Sequence, residues 1–134
     1  MKGSEGSYQV RKLHESILKY CPDVVVIPEI KQRISVLDEE AAEHSFYIAN
    51  YYFNRYKEHG SGLKGAQSRF GEIVERYPNY SKIDAVLFFL AETYLMDADK
   101  KSATGCYQRL LAEHPNSDHA YEARMRIQEL TERK

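Results

Sequence analysis

The sequence has no tryptophan, four prolines and two cysteines. Cys21 and Cys106 stand far apart and fit no metal-ligand spacing, so they read as free thiols and leave the redox compartment open. Long apolar runs are missing as well. The longest, Val24-Val25-Val26-Ile27, cannot span a bilayer, and so few β-branched residues do not make a sheet. The opening MKGSEGSYQV lacks the apolar centre of an export signal, and residues 1–7 are expected to be a disordered start at a truncated domain edge. An excess of one charge is also absent: 19 basic and 20 acidic side chains give a formal net charge of −1. That balance supplies no field for gripping phosphates, which argues against nucleic acid, and no basic block marks a membrane anchor.

What is present fits one soluble domain. A chain of 134 residues with 43% hydrophobic and 29% charged side chains can bury a real core. Proline and glycine gather at a few points: Pro22, Pro28, Gly60–Gly65, Pro78 and Pro115. Between them the apolar spacing is helical. Residues 8–20 place Val10, Leu13, Ile17 and Leu18 on one face. One long helix is expected over 28–58, with Pro28 and Glu29 suited to its first turn. Further helices are expected over 64–77, 82–97, 101–113 and 118–132, the last capped by Ser117 or Asp118. The expected fold class is all-α.

Two stretches repeat. Ala66-x3-Phe70-x2-Ile73-x4-Pro78 matches Ala103-x3-Tyr107-x2-Leu110-x4-Pro115, an offset of 37 residues. A fainter copy ends at Pro22, with Ile17-Leu18 where Ile73-Val74 and Leu110-Leu111 stand. Ahead of each full copy lies a helix with a small residue one turn before an aromatic: Ala49 and Tyr52, then Ala91 and Tyr94. Small residues let two antiparallel helices approach, aromatics fill the space between hairpins, and proline ends each unit. A lone hairpin cannot bury its apolar face, so such hairpins must stack.

The chemistry-bearing residues do not converge. Glu40 and His44 share a helix face, but no second ligand pair is evident, so no metal is expected. His114 and His119 flank a turn and read as exposed. Gly60-Ser61-Gly62-Leu63-Lys64-Gly65 lacks the preceding strand and the Gly-Lys-Ser/Thr ending of a phosphate loop, and reads as a hairpin turn. Glu39 and Glu40 diverge by about 100° on a helix and cannot share a substrate. No catalytic residue, metal or cofactor is therefore expected. The aromatic cluster Phe46-Tyr47-Tyr51-Tyr52-Phe53-Tyr56 is too wide for one buried stripe. Either it packs on neighbours at two sides, or some rings line a groove for a peptide or partner helix.

The pattern Leu87-x2-Leu90-Ala91-x2-Tyr94-x8-Ala103-x3-Tyr107-x7-Pro115 resembles the tetratricopeptide repeat. More narrowly, residues 42–52 and 66–78, followed by Asp84-Ala85-Val86-Leu87, are similar to the BamD-type (YfiO) outer-membrane protein assembly lipoproteins. The resemblance implies a tetratricopeptide-like α-solenoid over 8–134, with an orphan helix 8–20, hairpins 28–77 and 82–113, and a terminal helix 118–132. It implies a protein–protein interaction scaffold at the periplasmic face of the outer membrane. Its partners would be assembly subunits or unfolded outer-membrane proteins. The first helix of each hairpin would line a concave groove: Glu43, Phe46, Asn50, Phe53 and Asn54, then Ala85, Phe88, Glu92, Leu95 and Met96. The sequence departs from that family in two ways. The turn between Tyr52 and Ala66 is five residues longer than that between Tyr94 and Ala103, and the lipid-bearing cysteine and first repeats are missing, as in a fragment. The alternative is another tetratricopeptide scaffold, a Tol–Pal coordinator or a cytoplasmic adaptor. The apolar face of helix 8–20 is expected to pack on the long helix or to stay partly exposed and invite dimerisation.

Overall fold

A computed structural model describes residues 2–20 and 27–132. The described residues form six helices and no strand: α1 (Lys2–Tyr20), α2 (Ile27–His59), α3 (Leu63–Arg76), α4 (Ile83–Met96), α5 (Lys100–Glu113) and α6 (Ala120–Glu132). Helices α2 to α6 lie within a residue or two of the expected bounds. The exception is the start, where the helix expected from residue 8 begins at Lys2. Cys21, Pro22 and Val24–Val26 lie outside the described residues, as do the side chains of Ile17 and Leu18.

Each helix packs on the next in chain order. The core has two parts. The first joins α2, α3 and one side of α4 through Ala42, Ala49, Ala66, Phe70, Ile73 and Val86. The second joins the other side of α4 to α5 and α6 through Leu87, Ala91, Ala103, Tyr107, Leu110 and Ala123. Ala49, Ala66, Ala91 and Ala103 are each fully buried, as expected for helices brought close by small side chains. Since α4 has both flanks buried, it is apolar nearly all round, unlike the amphipathic α3.

The sequence repeat reappears as repeated backbone geometry. Tyr77 ends α3 and donates to the Ile73 carbonyl at 2.8 Å; His114, 37 residues on, ends α5 and donates to the Leu110 carbonyl at 2.8 Å. The next bonds also pair off. Tyr80 to Tyr77 and Ile83 to Tyr80 are matched by Ser117 to His114 and Ala120 to Ser117. Pro78 and Pro115 sit at the same place in the two turns. The reversals inside the hairpins differ. Between α2 and α3 the chain turns through Gly60 and Gly62, at φ 76° and 105°. A Cβ on Gly62 would lie 3.0 Å from the Tyr52 carbonyl oxygen, so this close approach requires glycine. Between α4 and α5, Ala98 takes the left-handed conformation at φ 61°, and the Asp99 side chain caps α5 by accepting from the Ser102 amide at 3.1 Å.

Helix α2 runs for 33 residues where α3 to α6 have 13 or 14. Its first half reaches past the α2–α3 hairpin. There it packs on α1 and on the α3–α4 turn, where Ser81 donates to Glu39 from both its amide and its hydroxyl.

Candidate functional site

The expected groove residues fall into two groups. Phe46, Phe53 and Phe88 are interior, at 9%, 4% and 4% exposure. Phe46 packs on Phe70, Tyr80 and Phe89; Phe53 packs on Phe70 and Phe89. Phe88 stacks on His119 of the α5–α6 turn with ring centroids 5.0 Å apart. His119, expected to be exposed, is half-buried there. These rings hold α4 to its neighbours on both sides and do not line a surface. For them the wide aromatic cluster resolves towards packing on two sides.

Glu43, Asn54 and Met96 are exposed, while Asn50, Ala85, Glu92 and Leu95 are half-buried. Glu43 is tied to the α3–α4 turn: it accepts from the Tyr80 hydroxyl at 2.5 Å and from Lys82 Nζ at 3.0 Å. Those two hydrogen bonds, Tyr80's first, hold its carboxyl below the usual glutamate range. Glu92 is committed inside the protein. It accepts from the Tyr107 hydroxyl and from Arg126 Nε at 3.1 Å, so one carboxylate joins α4, α5 and α6. Burial, and then the Glu92 carboxylate, push the Tyr107 phenol well above its ordinary value.

The exposed face of α2 joins Asn54 to two residues that the family register passes over, Tyr47 and Tyr51. Tyr47 and Tyr51 are 74% and 56% exposed, and they lie one helical turn apart. Asn54 and Glu58 continue the same face at spacings of three and four. Tyr51, Asn54, Arg55, Glu58 and His59 line an open recess of about 390 Å³. The helical phase of the sequence carries this signal: Phe46, Ala49 and Phe53 occupy the buried side of α2, which turns Tyr47 and Tyr51 outward. The surface therefore offers two phenols, an amide, a guanidinium and a carboxylate along one helix, a set suited to hydrogen-bonding an extended backbone and stacking on rings.

A larger open groove, about 910 Å³, runs between α3 and α5 with Leu90 and Tyr94 of α4 in its lining. Gln67 Nε2 faces this region as a buried donor without an acceptor. Arg109 at its edge is paired with Glu113 at 3.0 Å. Cys106 on α5 is half-buried, and burial pushes its thiol up, away from the reactive thiolate. Among the described residues no three His, Cys, Asp or Glu side chains gather as metal ligands. Among them, too, no helix is long and apolar enough to cross a membrane. No family model matches the chain, and no curated protein matches it.

Proposed function

We propose that this chain is a tetratricopeptide-type scaffold that works by binding protein segments and not by catalysis. The observation that carries the reading is the bond-for-bond repetition of the α3–α4 and α5–α6 turns at the sequence offset of 37 residues. The packing supports it, since each helix packs mainly on the next and the remaining contacts reach only the helix after that, as in a stacked array whose repeats touch only their neighbours. The binding face in this reading is the outer stripe of α2, Tyr47, Tyr51 and Asn54, together with Met96 at the end of α4. Its ligand is an extended peptide with aromatic side chains.

The narrower proposal places the scaffold in BamD-type assembly at the periplasmic face of the outer membrane. There it would receive segments of unfolded outer-membrane proteins or hold other assembly subunits. The support for this is the sequence similarity of residues 42–52 and 66–78 and the unusual length of α2. The test uses a carboxy-terminal β-barrel peptide ending in an aromatic residue, followed by fluorescence anisotropy. The double change Tyr47→Ala, Tyr51→Ala is expected to weaken binding by about tenfold or more, on the scale of lost aromatic anchors, with helix content unchanged. Binding that the double change leaves untouched would refute the face. A folded chain with no affinity for the peptide would refute the outer-membrane role and leave a scaffold of the Tol–Pal coordinator or cytoplasmic adaptor kind. Phe46 and Phe88 are unsuitable targets because their loss would damage the core.

A further inference from the structure

The α2–α3 turn, Gly60-Ser61-Gly62-Leu63-Lys64-Gly65, holds more glycine than a chain reversal requires, since the α4–α5 reversal passes through Asp97, Ala98 and Asp99 with none. Gly65 in particular lies in the first turn of α3, where glycine is a poor helix former. Its side of α3 faces Tyr52. A Cβ on Gly65 would lie 3.2 Å from Cγ of the Tyr52 ring and 3.4 Å from both Cδ atoms, so the glycine sits against the face of that ring. A Cβ on Gly62 would meet the same residue, 3.0 Å from its carbonyl oxygen and 3.5 Å from Cδ1. The two glycines thus form a bare backbone seat for Tyr52, which is half-buried and also packs on the first core.

The seated ring has a second neighbour on its other flank. Tyr51 and Tyr52 meet with ring centroids 5.6 Å apart and planes at 74°, an edge-to-face contact. Tyr51 is 56% exposed and lines the recess at the end of α2. A chain of contacts therefore runs from the turn glycines through Tyr52 to a ring on the binding face.

We propose that Tyr52, seated on Gly62 and Gly65, is a positioning residue for the binding face and fixes the direction in which the Tyr51 ring meets a peptide. An exposed tyrosine that samples several rotamers must be ordered when it binds, and that ordering lowers affinity. A ring held beforehand avoids the loss. Tyr52 acts through Tyr51, so its effect on binding vanishes when Tyr51 is gone. The role in binding rests on the peptide-binding reading, whereas the orientation of the Tyr51 ring can be measured with no peptide present.

The carboxy-terminal β-barrel peptide and its anisotropy assay test this, together with the Tyr51 χ1 rotamer read from Hα–Hβ couplings of the free chain by NMR. Tyr52→Leu is expected to weaken binding about threefold, within the range of one ring–ring contact. Gly65→Ala suits a helix better but presses a Cβ on the Tyr52 ring, so binding is expected to weaken with helix content unchanged. It carries the test even where Tyr52→Leu fails to fold. Tyr52→Phe keeps the ring and should bind as wild type does. On a Tyr51→Ala background neither Tyr52→Leu nor Gly65→Ala should weaken binding further, a coupling that a merely structural role would not produce. In the free chain Tyr51 should hold one rotamer, and Tyr52→Leu should release it. A wild-type Tyr51 that averages over rotamers would overturn the proposal, as would losses of equal size with and without Tyr51. A wild type with one Tyr51 rotamer and no affinity for the peptide would instead refute the peptide-binding reading, while confirming that Tyr52 holds the ring.

Discussion

Helices α1 and α6 flank the same hairpin pair, yet they are attached by different physics. Helix α6 buries Ala120 and Ala123 in the second core and brings Arg126 to the half-buried Glu92 carboxylate. Among the described side chains of α1 none is buried. It meets α2 through Arg11, which lies 3.1 Å from Asp38 without the alignment of a hydrogen bond, and His14 Nδ1 is left without a partner. Tyr8 adds a contact to α3, with the Arg76 guanidinium 4.5 Å from its ring centre. The lesson is that helical propensity makes both segments helices, but only apolar burial with satisfied polar groups makes a helix part of the core.

The contrast can be broken most strongly at Phe88. Phe88→Ala should cost about 3–5 kcal/mol, the usual price of emptying a buried aromatic site, and should free α6 before α1. A urea titration read alongside hydrogen exchange of the two helices checks both parts. Next comes Glu92→Ala, which strands the Tyr107 hydroxyl and leaves the Arg126 guanidinium only Glu129, 3.9 Å away. A loss of about 2 kcal/mol is expected from such unpaired groups, visible as a lower denaturation midpoint. The corresponding change on the other side, Arg11→Ala, should cost less, about 1 kcal/mol, because it removes ion pairs to Asp38 and Glu15 in which the Arg11 Nε beside Asp38 makes no hydrogen bond. If Arg11→Ala proved as damaging as Glu92→Ala, the two helices would be equally anchored and the contrast would fail.

Acidity should separate the ends most gently. Asp84 and Asp38 secure opposite sides of the row, and their carboxyls shift in opposite directions. Burial pushes Asp84 up, but the Ser117 hydroxyl and nearby amides outweigh it, leaving the group below the usual range. Its contribution to stability is thus present above the unfolded value and lost as pH falls through the lowered one. Burial raises Asp38, and Arg11 only partly offsets this. The penalty on its charged form is full at neutral pH and is relieved as pH falls through the raised value. Between neutrality and about pH 3, below the ordinary aspartate value, exchange protection corrected for intrinsic rate should decline in α6 and hold or improve in α1. The reverse order would contradict these assignments.

Much of this was legible in the residues. The spacing of Ala66, Phe70 and Ile73 and its echo in Ala103, Tyr107 and Leu110 located α3 and α5 and their buried faces, because a helix period maps directly onto a side. Prolines and glycines marked the turns. The groove was less legible. The family register assigned Phe46, Phe53 and Phe88 to a surface, whereas burial on both sides of α4 draws these rings inward. Glu92 looked like a ligand group, but Arg126 lies 34 residues further along the chain, and no local pattern announces a partner at that distance.

By itself the sequence determined the helices, their order and the repeat, because periodicity, small residues and turn chemistry act over a few neighbours. Only the tertiary structure decided which aromatics became core and which stayed outside: Phe46 and Tyr47 are adjacent in the chain, yet one is 9% exposed and the other 74%. It also decided that α6 is locked in place while α1 leaves Val10, Leu13 and Tyr20 open. Both outcomes depend on which helix faces meet, and burial free energy is settled by those meetings between distant segments.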